Sequence, residues 1–441
     1  MVADLGFGDA GKGTMVDYIG RRGGYASVVR FNGGGQAAHN VVLPDGRHHT
    51  FRQFGSATFV PGIRTHLSRF MLVDPFELIH EAELLKQVGV RDPLKRLSID
   101  RDALIVAPYS KNANRVRESR RGTGRHGSCA MGIGETMALS IARPDLVIRV
   151  GDLADKRGLS AKLTNIREYV ASEFGDDPLY KELENTPAAN RTGAWYADAP
   201  PTKWASMLHE IGTHIDIVDD KHLWRIARNG NLLFEGSQGV LLDEWRGFHP
   251  YTTWSTTTFD NALTLLREAE YDYSVEKIGV LRAYHTRHGE GPFPTEDAML
   301  TKLLPDGHND DIGPQGVFRN GWFDVVLAQY ALDVCGGVDS LAITHLDRIQ
   351  DLPEVQMAFA YQGKHEKFSR IPVNPIKEDL VAQAEITKLV QSSTPIYQTV
   401  GLRDERYADL IGQMLGTTIS MTSYGQTAAD KRSRARGTRA A

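Results

Sequence analysis

Val2-Ala3-Asp4-Leu5-Gly6-Phe7-Gly8-Asp9-Ala10-Gly11-Lys12-Gly13-Thr14 is the stretch that decides the fold of this 441-residue chain. Val2 to Leu5 has the character of a short buried strand. It ends directly in a glycine-rich turn, after which Thr14-Met15-Val16-Asp17-Tyr18-Ile19 shows helical spacing. A second strand, Ala26 to Phe31, follows at once and opens into another turn, Asn32-Gly33-Gly34-Gly35-Gln36. The opening therefore reads as a βαβ unit with a parallel pair of strands. Met1 sits so close to the loop that the first strand is short, and the start of the chain could lie farther upstream.

Working outward, the helical pattern Pro75 to Gln87 alternates with apolar runs at Leu104 to Ala107, Asn231 to Phe234, Lys277 to Leu281 and Ser340 to Thr344. This alternation predicts an α/β fold of the P-loop NTPase kind, with a largely parallel central sheet flanked by helices. Residues 1–430 are expected to form one domain with a helical insertion at about 100–220. The polar stretch Phe174 to Thr202 reads as surface helices and loops, and 431–441 as a basic, disordered tail.

Composition narrows the function classes. An apolar fraction of 41%, a charged fraction of 24% and a formal charge of −4 are ordinary for a soluble globular protein and imply no nucleic-acid partner. Cys129 and Cys335 alone make neither a disulfide framework nor a zinc set, which points to a reducing, cytoplasmic setting. No apolar run reaches membrane-spanning length, so no membrane is expected as a partner.

Three constellations carry the chemistry. The first loop has the spacing Gly6-x4-Gly11-Lys12, with Gly13 where a phosphate-binding loop of the usual kind has Ser or Thr. Its glycines let backbone amides form a phosphate-sized nest, and the following helix adds its positive end. Asp9 within that loop repels a polyphosphate unless it binds Mg2+ or accepts a proton. The second constellation is Arg30 to Asn40, where a strand ends in small residues followed by His39. The third is Glu235-Gly236-Ser237-Gln238-Gly239, with the hydroxyl-rich run Pro250 to Thr258 after it, suited to hydrogen-bonding a sugar, base or phosphate.

These pieces, with Thr286 to Glu296, Gly321-Trp322-Phe323-Asp324 and Pro395-Ile396-Tyr397, resemble the adenylosuccinate synthetase family from the first loop to about Gly425. The resemblance implies a GTP- and Mg2+-dependent ligase that phosphorylates the 6-oxygen of IMP and joins the amine of L-aspartate, working as a homodimer. By position, Asp9 would be the general base and a Mg2+ ligand, with the carbonyl of Ala38 as a second ligand, while His39 and Lys12 would serve the phosphoryl group. Gly8, Ala10, Gly11, Lys12, Gly13, Thr14, Asp347 and Gly425 would bind GTP. Gln36, Ser128, Arg143, Gln238 and Thr253 would bind the purine nucleotide, Arg143 by reaching the neighbouring subunit. Arg319 and Thr295 would receive the amine donor.

The chain also departs from the family pattern. The family's guanine-selecting Thr-Lys-x-Asp reads Thr344-His345-Leu346-Asp347 here, and its run of arginines before Thr-Gly-Trp is reduced to Arg319. Ala10, Thr14, Gln36 and Cys129-Ala130-Met131 are further replacements. Phage relatives that act on dGMP lack the catalytic Asp that this chain keeps as Asp9. The departures leave two other readings open: a paralogue that takes a different amine or purine, and a guanine-nucleotide-binding protein without turnover.

Overall fold

The structure is a computed structural model that describes residues 1–122, 128–185, 199–307, 309, 316–401 and 403–434. Ten strands form its main sheet: β1 (Val2–Asp4), β2 (Tyr25–Arg30), β3 (Arg64–Leu67), β4 (Leu97–Asp100), β5 (Asp216–Val218), β6 (Asn231–Gly239), β7 (Ile278–Arg282), β8 (Ser340–Thr344), β9 (Ile419–Ser423) and β10 (Lys431–Ser433). Their order across the sheet is β10-β9-β8-β7-β1-β6-β2-β3-β4-β5. All neighbouring pairs run parallel except β9 with β10.

The apolar runs are strands because both faces of the sheet are buried. Ala3, Val29, Phe234, Leu281 and Leu341 belong to one hydrophobic cluster, shared with Val326, Leu327 and Ala331 of the helix Val325–Val334. Their neighbours Val2, Val28, Leu233, Val280 and Ala342 belong to another, shared with Met15, Val16 and Ile19 of helix α1 (Lys12–Arg21). Successive strand residues point to opposite faces, so α1 and the helix Val325–Val334 cover opposite sides.

Between β4 and β5 the chain forms the helices Pro108–Arg121, Ile133–Ala142, Lys156–Phe174, Pro178–Asn185 and Pro201–Gly212. They gather a third cluster around Val116, Leu163, Phe174, Tyr180 and Trp204. Part of the expected polar surface stretch, residues 186–198, lies outside the described residues.

Two expectations need correction. β1 and β2 are parallel but do not pair, because β6 lies between them and hydrogen-bonds to both. A long crossover returns the chain from residue 30 to residue 231 before that gap is filled, which no local pattern announces. The basic tail, in turn, begins as a strand. Lys431 pairs with Ser423 and is buried, Arg432 Nη1 donates to Glu405 Oε1 at 2.7 Å, and Arg434 Nη1 lies 2.7 Å from Asp409 Oδ1. Backbone pairing with β9 and carboxylate partners on the helix Glu405–Leu415 order these cations; residues 435–441 lie outside the described residues.

Buried imidazoles make this fold acid-sensitive. Burial lowers His66 and His285 from 6.5 to about 3, and burial together with the Lys12 charge lowers His39 to about 4. A depressed folded value means the unfolded chain takes up the proton first. The stability from these groups is complete above about pH 6.5 and is lost as pH falls toward 4 and 3. Urea midpoints measured from pH 7.5 to 4.5 should fall steadily below pH 6.5. The decline should be shallower in His66→Gln; an unchanged slope in that variant would contradict the assignment.

Candidate active site

The loops that follow β1, β2, β6, β7 and β8 meet at the carboxyl edge of the sheet, the place where parallel α/β sheets bind ligands. The loop after β1 is held from beneath by Asp4, which is fully buried. Its carboxylate accepts hydrogen bonds from Gly6 N and Ala10 N, both at 2.8 Å. Gly8, Asp9 and Gly11 take φ values of 98°, 58° and 79°, and Gly11 is the N-cap of α1. The left-handed turn at Asp9 is one a short polar side chain tolerates.

Three buried ionisable groups line up behind the loop. Lys12 Nζ lies 3.2 Å from His39 Nε2, and His39 Nδ1 lies 2.7 Å from Glu235 Oε1. Ser56 donates to the same carboxylate, through its hydroxyl to Oε1 and through its backbone N to Oε2 at 2.9 Å. Burial alone would raise the Glu235 carboxyl, but His39, Arg30 and these donors hold it at about 2. Glu235 is therefore an anion. His39, kept neutral by burial and Lys12, has Nδ1 against the Glu235 carboxylate, while its Nε2 faces both Lys12 Nζ and Ser237 O, the latter at 3.0 Å. Burial also lowers Lys12.

Arg30 stands opposite Glu235 in the β2–β6 ladder and is fully buried, donating to Ser237 Oγ at 2.6 Å and to Phe54 O at 3.0 Å. Asn32 donates to Thr256 O at 3.0 Å and accepts from Ser237 N at 2.8 Å, so the second and third constellations are hydrogen-bonded together.

Asp9 is partly buried, and its Oδ2 lies 3.5 Å from His288 Nε2, looser than a hydrogen bond. Burial raises its pKa, with His288 and Arg282 pulling the other way. The carboxylate is thus both a better proton acceptor than a surface Asp and open to a hard cation.

Near Gly33 and Gly34 lie Gln36 and Gln238, whose amide nitrogens and oxygens are all buried without hydrogen-bond partners. A Cβ on Gly33 would come within 2.7 Å of Gln238 Oε1, and one on Gly34 within 3.1 Å of Gln36 Oε1. Four orphaned polar atoms beside two glycines make a cradle that a polar ligand would complete. Ser128 Oγ donates to Asn114 Oδ1 at 3.0 Å, and Thr253 N bonds Leu242 O at 2.8 Å. Arg143 is not part of this cluster within one chain: it is at the surface, paired with Asp145 at 2.7 Å.

Around the residues expected to bind GTP, Thr344 Oγ1 donates to Ala10 O at 2.7 Å, and Thr14 Oγ1 to Gln426 O at 2.9 Å, next to Gly425. Asp347 is half-buried and burial raises its pKa. On the amine side, Arg319 lies 2.5 Å from Glu296 Oε2 and also donates to the carbonyl of Gly289. Arg287 is spent on the carbonyls of Glu290 (3.0 Å) and Pro292 (2.9 Å) and on the Phe7 ring. Thr295 Oγ1 is buried without a partner. Ala38 is exposed at the head of the strand His39–Val42. Residues 308 and 310–315, which precede Arg319, lie outside the described residues.

Sequence reasoning missed Asp4, Ser56, Glu235, His288 and Arg282 as members of the site. An acidic residue inside the apolar run that enters the loop was the available signal for Asp4; Glu235 and His288 stood inside family-like motifs without a role.

The family described as adenylosuccinate synthetase matches residues 1–431. Among curated relatives, the adenylosuccinate synthetase of Thermosynechococcus vestitus is 31% identical over 96% of this chain and 92% of its own length, and that of Desulforamulus reducens is 29% identical over 95% and 94%. Among solved structures, the fully ligated adenylosuccinate synthetase from Plasmodium falciparum superposes with a TM-score of 0.80 at 20% identity, covering 98% of this chain and 99% of that one. The cyanophage S-2L succinoaminodeoxyadenylate synthetase, bound to dGMP and dATP, gives 0.59 at 14% identity. With its matching profile spanning the sheet, the loops and the convergent site, this chain belongs to the adenylosuccinate synthetase family of carbon–nitrogen bond-forming ligases.

Proposed function

We propose that the chain uses GTP to join IMP and L-aspartate, releasing adenylosuccinate, GDP and phosphate. The observation that carries this reading is that the glycine loop holds Asp9 within electrostatic reach of Lys12, the first member of the buried Lys12–His39–Glu235 chain. A purine 6-oxo group is a poor leaving group toward an amine. Transfer of the γ-phosphoryl of GTP to that oxygen converts it into phosphate, which the aspartate amine then displaces at C6.

Asp9 takes the N1 proton of IMP as the 6-oxygen becomes nucleophilic, a task for which its raised pKa suits it. The loop amides and Lys12 receive phosphoryl oxygens. A phosphate drawing Lys12 away from His39 removes one of the charges that keep the imidazole neutral, and Glu235 then favours the protonated ring that donates to the phosphoryl group. Gln36 and Gln238, with Ser128 and Thr253, are the groups that hold the nucleotide of IMP; the unpartnered amides support this placing. Mg2+ would be held by the Asp9 carboxylate and the carbonyl of Ala38, since it takes few protein oxygens together with phosphate oxygens. When bound it neutralises polyphosphate charge. In a homodimer, Arg143 would reach across to the partner's nucleotide. Thr295 and Arg319 would receive aspartate, Arg319 sharing its guanidinium with Glu296.

A binding protein without turnover is disfavoured by the same chain of groups: Lys12, His39 and Glu235 are costly to bury and have no structural need of one another's company.

Purified protein given GTP, Mg2+ and IMP should release phosphate and form adenylosuccinate only when aspartate is added. Release that needs IMP yet ignores aspartate would overturn the donor assignment. Asp9→Asn should lose IMP-dependent phosphoryl transfer by about 10²-fold or more while still binding nucleotide, as removal of a general base does. Glu235→Gln leaves His39 without its anion, so kcat should drop by about 10-fold or more with KM for GTP changed far less. Full activity in either variant would contradict the role of the residue replaced.

A further inference from the structure

Resting on the reading of GTP as the phosphoryl donor, we propose that Lys431 of the edge strand β10 supplies a hydrogen-bond donor for the guanine 6-oxygen, in a chain whose strand-end motif carries His345 where the family pattern has Lys.

Guanine presents N1–H and N2–H donors and an O6 acceptor, whereas adenine presents an amino donor where guanine has O6. A carboxylate at Asp347 can accept from the first two. Selection is complete only if a donor also faces O6. His345 is badly placed to be that donor. Its backbone sits at φ 58°, its Nδ1 is 2.9 Å from Thr344 Oγ1, and its ring edge lies 3.3 Å from where a Cβ on Gly11 would stand. Tyr284 closes another side of the ring, with centroids 6.1 Å apart, and burial holds the imidazole in its neutral form.

Lys431 lies beside the same strand end: Leu346 N donates to Ser423 O at 3.1 Å, and Ser423 is the residue opposite Lys431 in the β9–β10 ladder. Its side chain is buried, and Nζ donates to Gly425 O at 2.8 Å, a carbonyl that also accepts from Ser423 Oγ at 3.1 Å. The fold fixes this position. β10 returns antiparallel to β9 with Lys431 opposite Ser423, and the turn between them is tied to α1 through Thr14 Oγ1 and Gln426 O at 2.9 Å. The ammonium is therefore enclosed by the ends of β8 and β9 and by the helix that begins at the phosphate loop.

Three carboxylates act on it electrostatically: Asp430, Asp17 and Asp347. Asp430 is engaged by Thr427, through N at 2.7 Å and Oγ1 at 2.8 Å, and Asp17 by Arg21 at 2.7 and 3.0 Å. Asp347 is left as the acid that Lys431 complements, an acceptor and a cationic donor near enough to act on each other electrostatically. An ammonium has three N–H groups, and the bond to Gly425 uses one.

The competing explanation is that Lys431 only braces Gly425. The two separate on a donor that differs at one atom. Wild type, Lys431→Met and Lys431→Arg are assayed with GTP and with 6-thioguanosine triphosphate, whose sulfur is a poor acceptor. Wild type should prefer GTP in kcat/KM by about 10-fold or more, the range of a hydrogen bond from a charged donor. In Lys431→Met the value for GTP should fall by that factor, through KM, while the value for the thio analogue stays put, so the preference vanishes; Lys431→Arg should restore part of it. Equal losses with both donors, or no loss with either, would overturn the proposal. A wild-type enzyme indifferent to GTP would instead overturn the reading on which it rests.

Discussion

The two hydrogen bonds from Gly6 N and Ala10 N to the Asp4 carboxylate are the constraint on which the site depends. They fix both ends of a turn whose residues Gly8, Asp9 and Gly11 all sit at positive φ, a conformation that a free loop would not hold. Gly239, at the end of β6, passes so close that a Cβ there would fall 2.2 Å from both Gly6 O and Gly8 N. Because no side chain fits between them, the phosphate loop and the Glu235–Gly239 segment form one body, and Glu235 reaches His39 with its position already set.

That arrangement explains why β6 stands between β1 and β2. Only a central strand can carry Glu235 against both Val2 and Arg30 and keep the acid out of water. Burying Lys12, His39 and Glu235 costs free energy, which the mutual charges offset only while the chain is complete. On the proposed reading, a phosphate bound at Lys12 would act on His39 electrostatically, through the contact between them. On the opposite rim the arginines are engaged elsewhere, Arg287 with carbonyls and Arg319 with Glu296.

Local pattern was enough for much of this. The helix Pro75–Gln87 and the strand Ser340–Thr344 fall where periodicity places them, since each buries a regular apolar face. The pairing of strands was not legible, because β6 joins β1 from more than two hundred residues away. Nor was the order of the tail: Lys431 looked like one charge among many, and its burial depends on β9 and on Gly425. Asp9, Lys12 and His39 could be singled out as candidates because each stood in or beside a glycine-rich turn, where a reactive side chain has few structural duties. Asp4 and Glu235 were not, since an acid in a strand acquires its role only from what lies across the sheet.

The central claim is that the loop exists to carry a phosphoryl group onto a purine oxygen. Single-turnover reaction with IMP labelled with 18O at the 6-position, followed by mass analysis of the phosphate released, tests it most directly. The account predicts that the phosphate carries the 18O atom. Unlabelled phosphate accompanying product formation would contradict it.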